Sequence, residues 1–486
     1  MTDRREFIKG AAIAGAGLAL KSSRLLGQDL PEKPNVLLFM VDQMRQPRWF
    51  SPEAKLPNFE LLKSRGIEFT RHFVSAVPCS PSRACLLTGL HIEQHGIKVN
   101  VGGEDQASLD PAIPCLGHLF RRAGYQTPYF GKWHLTKAKA LKKDKLDAYG
   151  FDYLTEERAG RTGLLADGSW AQSAIDWLSD PKNQDNPWFA LVSLLNPHDI
   201  CGYNPYLFPD TLIPNPITSL PDNLNDDLVG KPSCQGEFQD LVVPGNMGAD
   251  DEKQWLNYLN YYYYLTLKID TLLGRVLETL EKTGQLQNTI IIFTSDHGEM
   301  GGSHRLSLKG PFVYDENTNV PLVISWPGKL AQGVQANALC QNVDIFPTLA
   351  AILGVNFKTE FPYLPGKNLA PILQDPQTGA VNYHLLFSFT ENVAAEEKRE
   401  RAGKSWIQAP HQIRSIRERN RVYARYFDPA LPDQEFELYD LVNDPLQMNN
   451  VALDPAYKAV REEMAEKLRI AENEEMAPVE FTRLRP

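Results

Sequence analysis

A chain of 486 residues with a formal net charge of −10 has room for two to four folding units of roughly 150 residues each, and its acidity argues against generic nucleic-acid binding. With 43% hydrophobic and 23% charged residues, the composition is that of an ordinary globular protein. An acidic protein that handles an anion must build a local positive pocket against its own field, so a few well-placed Arg, Lys and His residues are expected rather than a basic surface.

In chain order, the first element is a targeting segment over residues 1–28. Arg4 and Arg5, with Phe7 and Lys9 after them, form a twin-arginine pattern, and Ala11 to Leu20 follows as a short, weakly apolar stretch. Export to a periplasmic or extracellular location by the twin-arginine route is the expectation. The alternative is a basic amphipathic tail or an N-terminal anchor. No later run of about 20 apolar residues occurs, so no stable membrane span is expected after processing.

Four apolar runs then end in polar residues. Asn35 to Val41 leads into Asp42 and Gln43, and Tyr125 to Phe130 leads into Gly131-Lys132-Trp133-His134. Trp188 to Leu195 leads into Asn196-Pro197-His198, and Thr289 to Thr294 leads into Ser295-Asp296-His297. Runs that are apolar on both faces predict strands covered by helices on both sides. Helical patterns lie between them: Leu56 to Arg65, Leu116 to Ala123, Asp251 to Lys282, and Ile345 to Leu353 with Asp344 as its cap. The fold class is therefore α/β, with a mostly parallel sheet over residues 33–375. Ligands of such sheets bind beyond the carboxyl ends of the strands, where these polar clusters fall. The stretch from Pro205 to Gly248 lacks periodicity and reads as a long insertion. From 376 to 486 the texture is that of a smaller α+β subdomain: strands at Tyr383 to Phe389, Arg421 to Phe427 and Glu435 to Leu441, then a helix within Pro455 to Glu475.

The chemistry centres on Cys79-Ser80-Pro81-Ser82-Arg83, which continues to Leu86-Leu87-Thr88-Gly89. Pro81 suits a first helical turn and Gly89 a helix end, so the thiol sits at the positive end of a helix dipole with Arg83 one turn away. Asp42 and Asp296, with Gln43 and His297 beside them, are metal-ligand candidates; taken singly, each aspartate reads equally as a cap. Arg83, Lys132, His134, His198 and Lys309 supply the positive pocket. The competing reading is a satisfied histidine or a solvated lysine, and it applies most to Lys309. His95 and His304 read as structural. The remaining cysteines, Cys85, Cys115, Cys201, Cys234 and Cys340, fit no zinc spacing and read as buried small hydrophobes.

The C-x-P-S-R motif with its leucine-rich T-G ending resembles the signature of type I sulfatases. The likeness extends from Asn35 through Val323 and resumes at Glu437 to Pro445. It implies an alkaline-phosphatase-like fold in which Cys79 is oxidised to formylglycine by a maturation enzyme. The aldehyde hydrate then attacks the sulfur of a sulfate ester. By the same resemblance, Arg83 and Lys132 brace that residue and His134 takes the proton of its second hydroxyl. His198 and Lys309 hold the sulfate and help protonate the leaving oxygen. One divalent cation is implied, held by Asp42, Gln43, Asp296, His297 and residue 79. Many members carry aspartate where Gln43 stands and asparagine where His297 stands. The Asp-Gln and Asp-His pairing resembles the branch of choline sulfatases and phosphonate monoester hydrolases. Calcium is the family expectation, and manganese or another transition metal the alternative. The implied partner is a sulfated carbohydrate or small organic alcohol. A phosphonate or phosphate ester hydrolase on the same scaffold is the alternative function, and a noncatalytic binding protein with an unconverted cysteine a more distant one.

Overall fold

The computed structural model describes residues 33–479 and 481, apart from 103–105, 138–139, 142–145, 159–161, 205–214, 248–249 and 392–409. The twin-arginine segment, residues 1–28, lies outside the described residues, as does the first part of the 205–248 stretch.

An eight-stranded sheet organises the larger part of the chain. Its strands are β1 (Asn35–Asp42), β2 (Ile67–Phe69), β3 (Pro128–Gly131), β4 (Asp152–Tyr153), β5 (Phe189–Pro197), β6 (Thr289–Ser295), β7 (Leu322–Ser325) and β8 (Val334–Ala336), in the order β8-β2-β7-β6-β1-β5-β3-β4. Only β7 runs against the others. The helices that concern the sheet and the site are α1 (Pro57–Ser64), α2 (Cys79–Thr88), α3 (Leu116–Arg122), α4 (Gly163–Ser179), α5 (Ser233–Met247), α6 (Glu252–Lys282), α7 (Ile345–Ile352) and α8 (Lys458–Glu475).

The alternation of β1 shows why the central strands are apolar throughout. Val36, Leu38 and Met40 pack into one core with α2, α3 and α7, through Leu86, Phe120 and Leu349. Leu37, Phe39 and Val41 pack into a second core with α1, α4 and α6, through Leu62, Trp170 and Leu273. A sheet buried on both faces needs hydrophobic residues at every position. Because β6, β1, β5 and β3 are parallel neighbours, their carboxyl ends lie along one edge, and Asp296, Asp42, His198 and Lys132 leave the sheet together there.

A second, five-stranded sheet contains β9 (Leu385–Thr390), β10 (Gln412–Arg417), β11 (Arg421–Phe427) and β12 (Gln434–Asp440), in sequential antiparallel order. α8 covers one face through Met464 and Leu468. The fifth strand is not C-terminal: Ala76–Val77 joins the edge beside β9 in parallel. That short strand runs directly into Cys79, so the smaller sheet fixes the approach to α2.

Two sequence expectations are corrected. Ser233–Met247, within the supposed aperiodic insertion, is helical, with Pro244 inside it. Its residues serve two separate cores, Cys234 and Phe238 in one and Val243 in another, so no single apolar stripe marks it. Asp344 does not cap α7 with its side chain. Its carboxylate instead accepts the backbone N–H of Gln341 and of Lys367 and the amide of Asn382, joining three segments.

Gly131 closes β3 with φ 102° and lies against β5 so tightly that a Cβ there would sit 1.9 Å from the Ser193 carbonyl oxygen. The next residue, Lys132, donates its backbone N–H to that carbonyl. Gly131→Ala is therefore expected to lower unfolding stability by at least about 2 kcal/mol and to displace Lys132. A denaturant-unfolding midpoint measured beside activity checks this, and an unshifted midpoint would contradict it.

Candidate active site

Cys79 is the first residue of α2 and is fully buried. Its Sγ lies 3.1 Å from His297 Nε2 and 3.5 Å from Asp42 Oδ1. One turn on, the guanidinium of Arg83 uses every nitrogen. Nε donates to Asp296 Oδ2 at 2.8 Å and Nη2 to Asp42 Oδ2 at 3.0 Å. Nη1 donates to the Lys132 carbonyl at 2.9 Å and to Ser193 Oγ at 2.8 Å. Lys132 Nζ adds a 2.6 Å contact to Asp42 Oδ2. Each aspartate thus commits one oxygen to cations. The other, Oδ1 in both, faces His297 Nε2 at 3.7 Å.

His297 Nδ1 lies 2.9 Å from the Gly298 carbonyl, which can only accept, so Nδ1 carries hydrogen and Nε2 points its lone pair at the carboxylates when the ring is neutral. The donor set fits a divalent cation. Asp42, Cys79, Asp296 and His297 each offer one ligand atom, all within 4.8 Å of one another. An imidazole oriented by a backbone carbonyl, beside carboxylates oriented by a guanidinium, is the support a metal site requires.

Gln43 completes the rim. Its backbone is left-handed, φ 71°, and its N–H donates to Asp296 Oδ1 at 3.1 Å. Its side-chain Oε1 accepts Lys309 Nζ at 2.5 Å, and its Nε2 donates to Glu299 Oε2 at 2.6 Å. His134, φ 57°, is held by Ser80 Oγ donating to its carbonyl at 2.6 Å, and its Nδ1 is buried with no hydrogen-bond partner among the described residues. His198 opens the turn after β5 and faces the charges of Lys309, Asp42 and Lys132.

The electrostatics follow from burial and crowding. Burial opposes ionisation of Asp42, but Lys132 foremost, with Arg83 and His297, holds it well below the usual carboxylate range. Burial and the charge of Asp42 push Asp296 up. Burial, with the neighbouring charge of Lys132 at His134 and of Lys309 at His198, holds both imidazoles well below the ordinary histidine value, so both are neutral. For Cys79, burial and Asp42 favour the thiol, yet Lys132, Lys309 and His297 outweigh them and lower its pKa. The sulfur marks the place of a formylglycine oxygen in a matured residue 79.

Eight of the ten residues singled out from sequence are joined by direct contacts: Asp42, Gln43, Cys79, Arg83, Lys132, Asp296, His297 and Lys309. His134 and His198 face the same charges. His304 is buried and paired with Asp226 at 2.5 Å. Sequence reading missed Ser193, Glu299 and Cys201. Cys201 is half-buried rather than buried, with Sγ 3.2 Å from Gln43 Oε1 and 3.3 Å from Lys309 Nζ. Its one available signal was its place three residues after His198.

A positive pocket around two carboxylates, at the carboxyl edge of a sandwiched parallel sheet, places the chain among the alkaline-phosphatase-like hydrolases. Within that class it belongs to the sulfatase family, whose family model matches residues 34–355. A second family model, N-sulphoglucosamine sulphohydrolase, C-terminal, matches residues 302–474. The chain is 26% identical to a Delta 4,5-hexuronate-2-O-sulfatase of Bacteroides thetaiotaomicron, over 91% of this chain and 89% of that protein. It is also 26% identical to a choline-sulfatase of Rhizobium meliloti, over 87% and 83%. The crystal structure of the phosphonate monoester hydrolase of Agrobacterium radiobacter superposes with a TM-score of 0.72 at 26% identity, covering 91% of this chain and 96% of that one.

Arg83→Lys keeps the charge but cannot span both aspartates. It is expected to weaken calcium or manganese binding by roughly 10- to 100-fold, the usual cost of losing a ligand-orienting partner. Titration calorimetry on the metal-stripped protein measures this directly, and wild-type affinity in the variant would show that the bridge does not organise the site.

Proposed function

We propose that the protein hydrolyses a sulfate ester of a carbohydrate, with residue 79 acting as formylglycine. The observation that carries this is the placement of Cys79: at the start of α2, against the Asp42–His297 donor cluster and within the field of Lys132 and Lys309. The carbohydrate reading is supported by the hexuronate-2-O-sulfatase among the relatives.

A divalent cation held by Asp42, Gln43, Asp296, His297 and residue 79 would polarise the nucleophile and the sulfate oxygens. Calcium is the proposed ion; the imidazole of His297 and the amide of Gln43 leave manganese as the alternative. Lys309 binds the sulfate by charge, being held protonated by neighbouring Cys201, Cys79 and Asp42 despite burial, while Lys132, on Asp42, braces residue 79 with Arg83. His134, neutral at rest, accepts the proton that releases sulfate from residue 79. His198 is neutral before substrate arrives; the approaching anion raises its basicity, so it takes up a proton from solvent on binding and hands that proton to the leaving oxygen. Residues 1–28 are proposed to export the folded enzyme by the twin-arginine route to the periplasm or beyond.

The likeness to a phosphonate monoester hydrolase favours one second reading, phosphonate or phosphate ester cleavage on the same residues. Parallel kinetics on an aryl sulfate and an aryl phosphonate separate the two: faster sulfate turnover is expected, and faster phosphonate turnover reverses the assignment.

Mass spectrometry of the peptide across residue 79, from protein matured in its own cells, should find the aldehyde rather than the thiol. Cys79→Ala should abolish turnover. His198→Ala should slow esters of poorly acidic alcohols by roughly 100-fold or more while sparing activated aryl esters. Equal losses on both classes would remove His198 from the acid role.

A further inference from the structure

Behind Gln43 lies a fully buried carboxylate, Glu299, that no feature of the sequence marked. Its Oε2 accepts Gln43 Nε2 at 2.6 Å. Its Oε1 accepts the Tyr258 hydroxyl at 2.8 Å, the Gly301 N–H at 3.0 Å and the Leu308 N–H at 2.6 Å. One carboxylate therefore holds both the side chain of Gln43 and the backbone immediately before Lys309.

We propose that Glu299 is a positioning residue that dictates which end of the Gln43 amide faces the metal and the sulfate. This rests on the sulfatase reading of the site. An amide presents an oxygen at one end and an N–H pair at the other, and the two have nearly the same shape. Both Glu299 oxygens act as acceptors here, Oε1 towards Tyr258, Gly301 and Leu308 and Oε2 towards Gln43, so the nitrogen end of the amide is the end that fits against it. With Nε2 taken by Glu299, Oε1 must point the other way, where it meets Lys309 Nζ at 2.5 Å. A reversed amide would aim N–H groups at a cation and at a lysine, both of which repel them. The contact at Leu308 ties the second half of that pair to the same anchor, so the acceptor on Gln43 and the donor on Lys309 are set by one group. The loop between is closed by Met300 N–H donating to the Leu308 carbonyl at 2.8 Å, which keeps Glu299 and Leu308 in register.

The test is an exchange of the two side-chain ends, read by calorimetric titration of metal-stripped protein with calcium chloride and with manganese chloride. Glu299→Gln sets amide against amide and is expected to weaken binding of the preferred ion by roughly 10- to 100-fold. Gln43→Glu sets carboxylate against carboxylate and should also weaken it. The double exchange, Gln43→Glu with Glu299→Gln, restores a donor facing an acceptor and should return to within about threefold of wild type, a non-additivity that only direct coupling produces. In a Gln43→Ala background, Glu299→Gln should cost no further affinity. Affinity unchanged in Glu299→Gln, or a double exchange no better than the single variants, overturns the proposal; so does a wild type that binds neither ion. Should Glu299→Gln fail to fold alone, the double exchange against Gln43→Glu still decides. Because the titration uses no substrate, a wild type that binds metal but cleaves no sulfate ester would refute the sulfatase reading and leave Glu299 to be judged on its own result.

Discussion

The site depends on one buried guanidinium. Asp42 and Asp296 end adjacent parallel strands, so the fold forces two carboxylates together at a place without solvent. Burying like charges side by side is strongly unfavourable unless a partner is placed between them. Arg83 is that partner, and it also bonds Ser193 of β5 and the Lys132 carbonyl that follows β3. A single side chain on α2 thereby ties together four neighbouring strands. It can do so only because the first turn of α2 lies at that edge of the sheet. This explains why the approach to Cys79 is pinned as a strand of the second sheet, and why α2 buries all of its residues.

The local charge then runs against the whole molecule. The chain carries −10 overall, yet the cleft sets Arg83, Lys132 and Lys309 against Asp42 and Asp296. Holding His134 and His198 neutral is part of the same balance: they lie among cations, so a further positive charge there is disfavoured. Neutral imidazoles can accept protons, whereas permanently charged ones could only repel the metal. A cleft with fixed cations for charge and neutral histidines for proton movement divides binding from proton transfer between different residue types.

The strand ends were legible because hydrophobic runs stop where the sheet stops, and because parallel strands must bring those stops to one edge. The α2 motif was legible because Pro81 and Gly89 bracket a helix. What stayed hidden lacks any such pattern. Glu299 is a lone acidic residue in a loop, and its burial is set by Gln43, distant in sequence, and by Tyr258 on α6. Cys201 looks like any small apolar residue until the turn after Pro197 aims it at Lys309. α5 divides its apolar residues between two cores, which erases the period that would announce a helix. Ala76–Val77 is too short to read as a strand, and its partner β9 lies more than three hundred residues away.

Where many sulfatases carry a second carboxylate beside the first, this chain carries Gln43 and places the carboxylate of Glu299 2.6 Å behind its amide. The carboxyl group stands one layer behind position 43. An amide oxygen backed by a carboxylate is more polarised than a free one, because each hydrogen bond in a buried chain strengthens the next. The cation would therefore still meet an electron-rich oxygen at position 43, while the sulfate-facing surface keeps one formal charge fewer to repel an incoming anion. Because Glu299 is fully buried, its contact with the Gln43 amide is not screened by water, so the two side chains act on the site as one coupled unit.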